Sequence, residues 1–164
     1  WKDIDRIKSY CDLPIIIKGI ATKEDALLAV EHGVEVVYVS NHGGRQLDYG
    51  LGGLNVLPEI ADAIGDNAKI IFDGGIMRGT DVLKAIALGA DCVGIGRLQG
   101  LAAAAGGTRA IVRMLELLEL EILTALRLRG VNSIFDLDKT YLSKDYSFGN
   151  LNALSAFPLI GEGY

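Results

Sequence analysis

Four short apolar runs recur along the chain, and each of them ends in polar residues or glycine. Within the runs the apolar residues largely follow one another without alternation, and many are β-branched. This pattern is typical of strands buried on both faces of a sheet. The four predicted strands are PIIIKG (14–19), VEVVYVSNHGG (34–44), AKIIFDGGI (68–76) and DCVGIGR (91–97).

Helical patterns fill the intervals between the predicted strands. In the first of them Thr22 precedes Asp25 by three residues, as a helix N-cap does, and Gly33 provides a stop. Alternation of strand and helix at this spacing predicts parallel βα units, and therefore an α/β fold. The three predicted helices are TKEDALLAVEHG (22–33), NVLPEIADAIG (55–65) and GTDVLKAIALGA (79–90).

The remaining segments predict a closing helix and a tail. A small-residue segment, 100–107, precedes an amphipathic helix expected from Thr108 to Leu128. We therefore expect residues 1–130 to form one catalytic segment, and residues 131–164 to form a tail that packs on it. The chain begins at Trp1 inside a helical pattern, without a methionine, so we expect it to be a piece of a longer protein.

Composition narrows the class of protein. The chain has 164 residues, of which 50% are hydrophobic and 23% charged, as in a soluble globular domain. A formal net charge of −5 argues against a nucleic-acid partner, and no apolar stretch is long enough for a membrane span. Cys11 and Cys92 lack metal-ligand spacing, so we predict no metal site and two reduced, buried thiols in a cytoplasmic protein.

The candidate functional residues all follow predicted strands. Four βα units fit either half of a (β/α)8 barrel or a small open doubly wound sheet. In both architectures the residues at the C-terminal ends of the strands converge on one face, where ligands bind. These residues are Lys18, the segment 40–45, Asp73 to Gly75, Gly96 and Arg97.

The third and fourth strand ends indicate an anion site. DGGIMRGTD (73–81) places two glycines before a helix start, and GIGR (94–97) places a glycine before Arg97. Exposed backbone N–H groups at a helix start and an arginine fork suit phosphate oxygens. The alternative is that these glycines serve only tight turns.

The first and second strand ends indicate redox or acid–base chemistry. Lys18 ends an apolar strand, where it either pairs with an acid or stabilises negative charge on an electron-accepting cofactor. His42 is a candidate base, and Arg45 can hold a carboxylate through two parallel hydrogen bonds. Alternatively, His42 has a structural role and Arg45 is solvated.

These residues, in this order, resemble the FMN-dependent α-hydroxy acid oxidase and dehydrogenase family. The resemblance extends over roughly residues 13–130, and SNHGGRQLD (40–48) is its most specific part. The other matching segments are IIIKGI, LPEI, DGGIMRGTDVLKAIALGAD and VGIGR.

The resemblance implies FMN as cofactor and a small 2-hydroxy acid as substrate, which is oxidised to the 2-oxo acid. Lys18 is then expected beside the flavin N1 and C2 carbonyl, and Ser40 on the flavin ring. His42 becomes the active-site base and Arg45 the carboxylate clamp. The residues expected around the ribityl phosphate are Asp73, Gly74, Gly75, Ile76, Met77, Arg78, Gly96 and Arg97.

The chain departs from the family pattern in two positions and in length. Met77 stands where the family usually has the first of two arginines, and Leu98 where it often has proline. The matching segments correspond to the C-terminal half of a TIM barrel, strands five to eight. An N-terminal half-barrel, as a chain or segment, is therefore the expected partner, and the complete barrel is expected to form a homo-oligomer. Two alternatives are an inactive half-barrel subunit and another FMN- or phosphate-binding barrel enzyme.

Overall fold

The protein, described here by a computed structural model for residues 1–143, alternates helices and strands along the chain. Short 3-10 helices at Gly65–Asn67, Ile134–Asp136 and Lys139–Tyr141 supplement them. The order is α1 (Lys2–Lys8), β1 (Ile16–Ile20), α2 (Lys23–Glu31), β2 (Val36–Val39), α3 (Gly53–Ile64), β3 (Lys69–Asp73), α4 (Gly79–Ala87), β4 (Cys92–Gly94) and α5 (Arg97–Arg129).

The four strands form one parallel sheet in the order β1-β2-β3-β4. Lys18 on β1 is in register with Tyr38 on β2, and Asp73 on β3 is in register with Gly94 on β4. The strand C-termini therefore meet at one end of the sheet, as predicted for parallel βα units. The predictions of an α/β fold and of a parallel sheet are confirmed.

The sheet is buried on one face only, so the prediction of strands buried on both faces is wrong for this chain. Val37, Val39, Ile70 and Phe72 are buried in the core, together with side chains of α2 and α3. The residues that alternate with them point to the other face and are exposed or half-buried. These residues are Ile16, Lys18, Tyr38, Ile71 and Asp73, and we call their side of the sheet the open face.

The helix ends agree with the local signals in the sequence. The Thr22 hydroxyl accepts a hydrogen bond from the backbone N–H of Asp25 at 3.2 Å, which caps α2. Gly33 follows α2 in a left-handed conformation, with φ of 69°, which glycine adopts without steric cost.

The closing helix is longer than the predicted Thr108–Leu128. Helix α5 starts at Arg97, directly after β4, and its regular geometry is interrupted at Gly106 and Gly107. The preceding segment is rich in alanine, the residue with the highest helix propensity, and this explains why it is helical rather than irregular. Gly107 has a left-handed φ of 59°, and this break in the helical backbone divides α5 into two parts.

Both cysteines are free thiols, but the prediction that they are buried is wrong. Cys11 lies in the loop after α1, and Cys92 begins β4, a strand at the edge of the sheet. Both are exposed, because neither position is covered by a second layer of the fold.

The tail is described only as far as residue 143. The Lys139 ammonium pairs with the Asp62 carboxylate at 2.6 Å, and Leu142 packs against the core. The predicted packing of residues 144–164 lies outside the described residues. Among the described residues, no helix is long and apolar enough to cross a membrane.

Candidate active site at the strand ends

Lys18, Ser40 and Asp73 form a polar cluster at the C-terminal ends of three neighbouring strands. The Lys18 ammonium donates to the Ser40 hydroxyl at 2.7 Å and pairs with Asp73 Oδ2 at 2.8 Å. Ser40 is 1% exposed, whereas the Lys18 side chain is 41% exposed. The sequence predicted these three residues separately, and the fold brings them into direct contact.

The loop after β2 connects His42 to this cluster through its backbone. The Ser40 hydroxyl accepts a hydrogen bond from the His42 backbone N–H at 3.1 Å, and Asn41 Oδ1 accepts one from Gly43 at 3.1 Å. His42 has φ of 55°, which is unfavourable for a residue with a side chain. The hydrogen bonds of the loop hold this conformation.

Gly19 makes room for the His42 ring. A β-carbon at Gly19 would lie 2.8 Å from His42 Nε2, closer than real β-carbon contacts, so the imidazole approaches the β1 backbone. Gly19 also has φ of 109°, at the point where the register between β1 and β2 shifts. The glycine of the IIIKGI segment is therefore required both by its conformation and by its contact with the histidine.

Charge in the cluster is governed by the balance between burial and hydrogen bonding at Asp73. Burial alone would raise the pKa of Asp73, but the Lys18 ammonium and the nearby Ser40 and Tyr38 hydroxyls lower the pKa below its ordinary value. Burial, followed by the negative charge of Asp73, raises the pKa of Tyr38. The cluster therefore holds Asp73 ionised and Tyr38 protonated at neutral pH.

Tyr38 was not among the predicted site residues. The centre of its ring lies 4.5 Å from the Lys18 ammonium. The signal in the sequence was a single hydroxyl within the apolar run VEVVYV, two positions before Ser40. Residues two apart on a strand point to the same face, so this spacing places Tyr38 beside the site.

The loops after β3 and β4 leave open space beside the cluster. Gly74 and Gly75 have φ of 110° and 76°, and a β-carbon at either one, or at Gly96, would contact nothing within 4 Å. Asp73 Oδ1 is buried and accepts no hydrogen bond of normal geometry from the described residues. The strand ends therefore combine open space at the glycines with a carboxylate that has one oxygen paired to Lys18 and the other without a hydrogen bond of normal geometry in the described part of the chain.

Arg78, which was expected at the phosphate, is bound to α5 instead. Its guanidinium pairs with Glu121 Oε1 at 2.7 Å, and the other carboxylate oxygen of Glu121 accepts from the Gly79 N–H at 2.7 Å. Asp81 accepts from the backbone N–H of Met77 at 3.1 Å and of Arg78 at 3.0 Å, which caps α4.

The remaining predicted site residues differ in whether their side chains are exposed. The Ile76 side chain is 5% exposed and belongs to the core, so only its backbone is available to a ligand. Arg45 and Arg97 are exposed, and Arg97 begins α5 immediately after Gly96.

The family of the chain follows from comparison with known proteins. The family model described as FMN-dependent dehydrogenase matches residues 1–144. The chain belongs to this family, which confirms the resemblance recognised in the sequence.

Particular relatives show which enzymes the chain is similar to. It is 44% identical to an L-lactate oxidase of Nostoc sp. over 144 residues, which cover 87% of the chain and 39% of the relative. It is 47% identical to L-lactate dehydrogenase (cytochrome) of Wickerhamomyces anomalus over 142 residues, covering 84% of the chain and 25% of the relative. The chain therefore spans less than half of the length of these curated relatives.

A solved structure with a similar fold is a mandelate oxidase with (S)-4-hydroxymandelic acid. It superposes with a TM-score of 0.79 at 43% identity, covering 82% of this chain and 38% of the mandelate oxidase chain. The parallel α/β fold described above is thus the fold of the corresponding part of that enzyme.

The residues at the strand ends fit a bound FMN. Lys18 supplies a positive charge, and Ser40 supplies a hydroxyl beside it. The carboxylate of Asp73 pairs with this lysine, and the open space at the glycines suits a phosphate that approaches the backbone. The chemistry of these residues is therefore compatible with a bound FMN.

Proposed function

We propose that this chain is the FMN-binding part, strands five to eight of a TIM barrel, of an enzyme that oxidises a small L-2-hydroxy acid to the 2-oxo acid. The observation that carries the proposal is the contact of Lys18 with Ser40 and Asp73 at neighbouring strand ends, where Ser40 also accepts a hydrogen bond from the backbone N–H of His42. The candidate base His42 and the cation Lys18 therefore both lie at the C-terminal ends of the strands, beside glycine-rich loops. This is the position where parallel α/β proteins bind ligands.

FMN, when bound, would supply an acceptor for the two electrons and for one of the two hydrogens that the substrate loses. Lys18 is proposed to lie beside the part of the flavin ring that becomes negative, because Ser40 and Asp73 hold its ammonium at the strand ends. Ser40 is buried, which restricts the position of its hydroxyl. This hydroxyl is proposed to contact both the Lys18 ammonium and the flavin ring.

His42 is proposed to take the proton that the substrate loses as its C2 alcohol becomes a carbonyl. Arg45, three residues along the same loop, is proposed to bind the substrate carboxylate through two parallel hydrogen bonds. Gly43 and Gly44 have positive φ, and a β-carbon at either would contact nothing within 4 Å, which leaves space between base and clamp.

The phosphate of FMN is proposed to bind at the loops after β3 and β4. Gly74, Gly75, Gly96 and Arg97 offer backbone N–H groups and a guanidinium around the open space. Backbone atoms of Ile76 and Met77 extend this loop, while a contribution from Arg78 requires that it leave Glu121.

The proposed partners are the substrate and an N-terminal half-barrel, as a chain or segment. The open face of the sheet and the free edges of β1 and β4 are surfaces that four further βα units would cover. We also propose that the completed barrel forms a homo-oligomer and that the protein is located in the cytoplasm.

A reductive bleaching experiment tests this function. The protein, assembled with its N-terminal half, should be yellow, and adding L-lactate without oxygen should bleach the visible absorbance of the oxidised flavin. Protein that takes up no FMN contradicts the proposal and favours an inactive half-barrel subunit.

The variant His42→Gln tests the assignment of the base. It should retain FMN, since Ser40 and Lys18 are unchanged, and lose bleaching by about 100-fold or more, because general-base catalysis contributes at least this factor. The matched control is His32→Gln, in which the altered imidazole lies between α2 and β2 and pairs with Asp5. Turnover that survives in His42→Gln would show that another group is the base.

A further inference from the structure

Tyr38 lies beside Lys18 on the open face of the sheet. The register pairs the two residues across β1 and β2, and the ammonium lies 4.5 Å from the centre of the Tyr38 ring. A cation at this distance from an aromatic ring is attracted by the negative face of the ring. The ring is thus a third contact of the ammonium, beside those with Ser40 and Asp73.

The hydroxyl end of Tyr38 reaches across β3 to β4. A β-carbon at Gly94 would lie 2.1 Å from the Tyr38 hydroxyl oxygen and 3.2 Å from the Asp73 β-carbon. The φ of Gly94 is not in the left-handed region, so the backbone does not require glycine there. Gly94 is therefore needed for space, and any side chain at this position would displace Tyr38.

The Tyr38 hydroxyl also influences the charge of Asp73. It is one of the groups that lower the pKa of Asp73, after burial, which opposes them, and after Lys18 and Ser40. The raised pKa of Tyr38 keeps its hydroxyl protonated beside the carboxylate. The Tyr38 ring thus contacts the Lys18 ammonium of the ion pair, and its hydroxyl lies on the same side of Gly94 as the Asp73 side chain.

We infer that Tyr38 is a positioning residue for Lys18, and that Gly94 provides the space in which Tyr38 performs this role. Tyr38 spans from β1 to β4, so it fixes the ammonium at the strand ends independently of any bound ligand. The consequence for flavin chemistry rests on the proposed function, but the placement of the ammonium does not.

Competitive labelling of lysines measures this placement directly. The protein is treated with a trace of isotopically labelled acetic anhydride at neutral pH, and the labelling of each lysine is read by mass spectrometry. Tyr38→Leu should raise labelling of Lys18 about two- to fivefold, the factor that corresponds to a cation–π contact at a partly exposed site. Tyr38→Phe keeps the ring and should stay within about twofold of the unchanged protein.

Gly94→Ala is the second variant, because it displaces the ring without removing it. It should raise labelling of Lys18 as Tyr38→Leu does. The matched control is Gly100→Ala in α5, where a β-carbon would contact nothing within 4 Å. It should leave the labelling pattern unchanged.

Labelling of the other lysines separates positioning from general loosening of the fold. Lys69 and Lys84 lie on β3 and α4 and pair with Asp91 and Asp81. Labelling of both should stay constant in all variants. The inference is overturned if all lysines rise together, or if Lys18 remains unchanged in both Tyr38→Leu and Gly94→Ala. The measurement needs no flavin, so a failure to bind FMN would contradict the proposed function alone.

Discussion

At the scale of single residues, the site is organised by one ion pair whose partners come from non-adjacent strands. Lys18 on β1 and Asp73 on β3 meet across β2, and Ser40 at the end of β2 binds the same ammonium. Each of the three restricts the position of the others, which places the ammonium before any ligand arrives. Such prior placement is what a site needs to stabilise developing charge without reorganisation.

The lowered pKa of Asp73 predicts a contribution to acid stability. A carboxyl group whose pKa is lower in the folded than in the unfolded state adds stability above the unfolded pKa and loses it as pH falls through the folded pKa. Urea unfolding between about pH 7 and pH 3, the range that brackets an ordinary aspartate, should therefore show a smaller loss of stability in Asp73→Asn than in the unchanged protein.

Asp12→Asn, an exposed carboxylate in the loop before β1, is the control for this measurement. It should follow the pH dependence of the unchanged protein. Identical acid dependence in Asp73→Asn and the unchanged protein would contradict the role given to the ion pair.

At the scale of elements, α4 and α5 are joined where the proposed phosphate loop ends. A β-carbon at Gly79 would lie 2.6 Å from the Leu118 carbonyl oxygen and 2.7 Å from the Glu121 β-carbon. Glu121 in turn binds Arg78 and the Gly79 N–H. The start of α4, and with it the loop from Gly74, is therefore set by close backbone contact with α5.

Gly79→Ala should separate these two helices. The added methyl meets backbone, which cannot rotate away, so we expect a loss of about 1 to 3 kcal/mol in the free energy of unfolding. Chemical denaturation monitored by circular dichroism measures it. Gly100→Ala in the exposed part of α5 is the matched control and should be neutral or stabilising by up to about 1 kcal/mol. Equal stability of the two variants would contradict the close contact.

At the scale of the whole molecule, a large amount of apolar surface is exposed. Val82, Val93 and Ile95 line an apolar groove with leucines of α5, and its volume is about 390 Å³. Apolar side chains outside the groove are also exposed along α5 and on β1; they include Ile16, Val112, Leu117 and Leu120. Exposed apolar side chains grouped in this way are typical of an interaction site, which supports the proposed N-terminal half-barrel as partner.

Adding the N-terminal half should therefore change the assembly of this chain. We expect a one-to-one complex in sedimentation, and a melting temperature higher than that of the chain alone, because partner binding stabilises the folded state by mass action. A cooperative, monomeric melt of the chain alone that the N-terminal half leaves unchanged would contradict the proposed partner.

Local patterns in the sequence were sufficient to predict the strands, the helix caps and the location of the candidate residues at strand ends. Hydrophobic periodicity and the residues that start or stop helices are local features of the sequence. Thr22, Gly33 and the strand ends could therefore be predicted from the residues next to them in the chain. Burial could not be predicted this way. The apolar runs suggested two covered faces and buried cysteines, but burial depends on which layers actually surround a strand, and here only one face is covered.

The sequence by itself determined the family and the convergence of Lys18, Ser40 and Asp73 on one end of a parallel sheet, because motif spacing and strand direction are properties of the linear chain. Only the tertiary structure decided that Tyr38 reaches Gly94 across β3, and that Arg78 turns to Glu121 rather than toward the glycine loop. These contacts join residues far apart in sequence, and they follow from side-chain length and the distance between packed elements, which no local pattern contains.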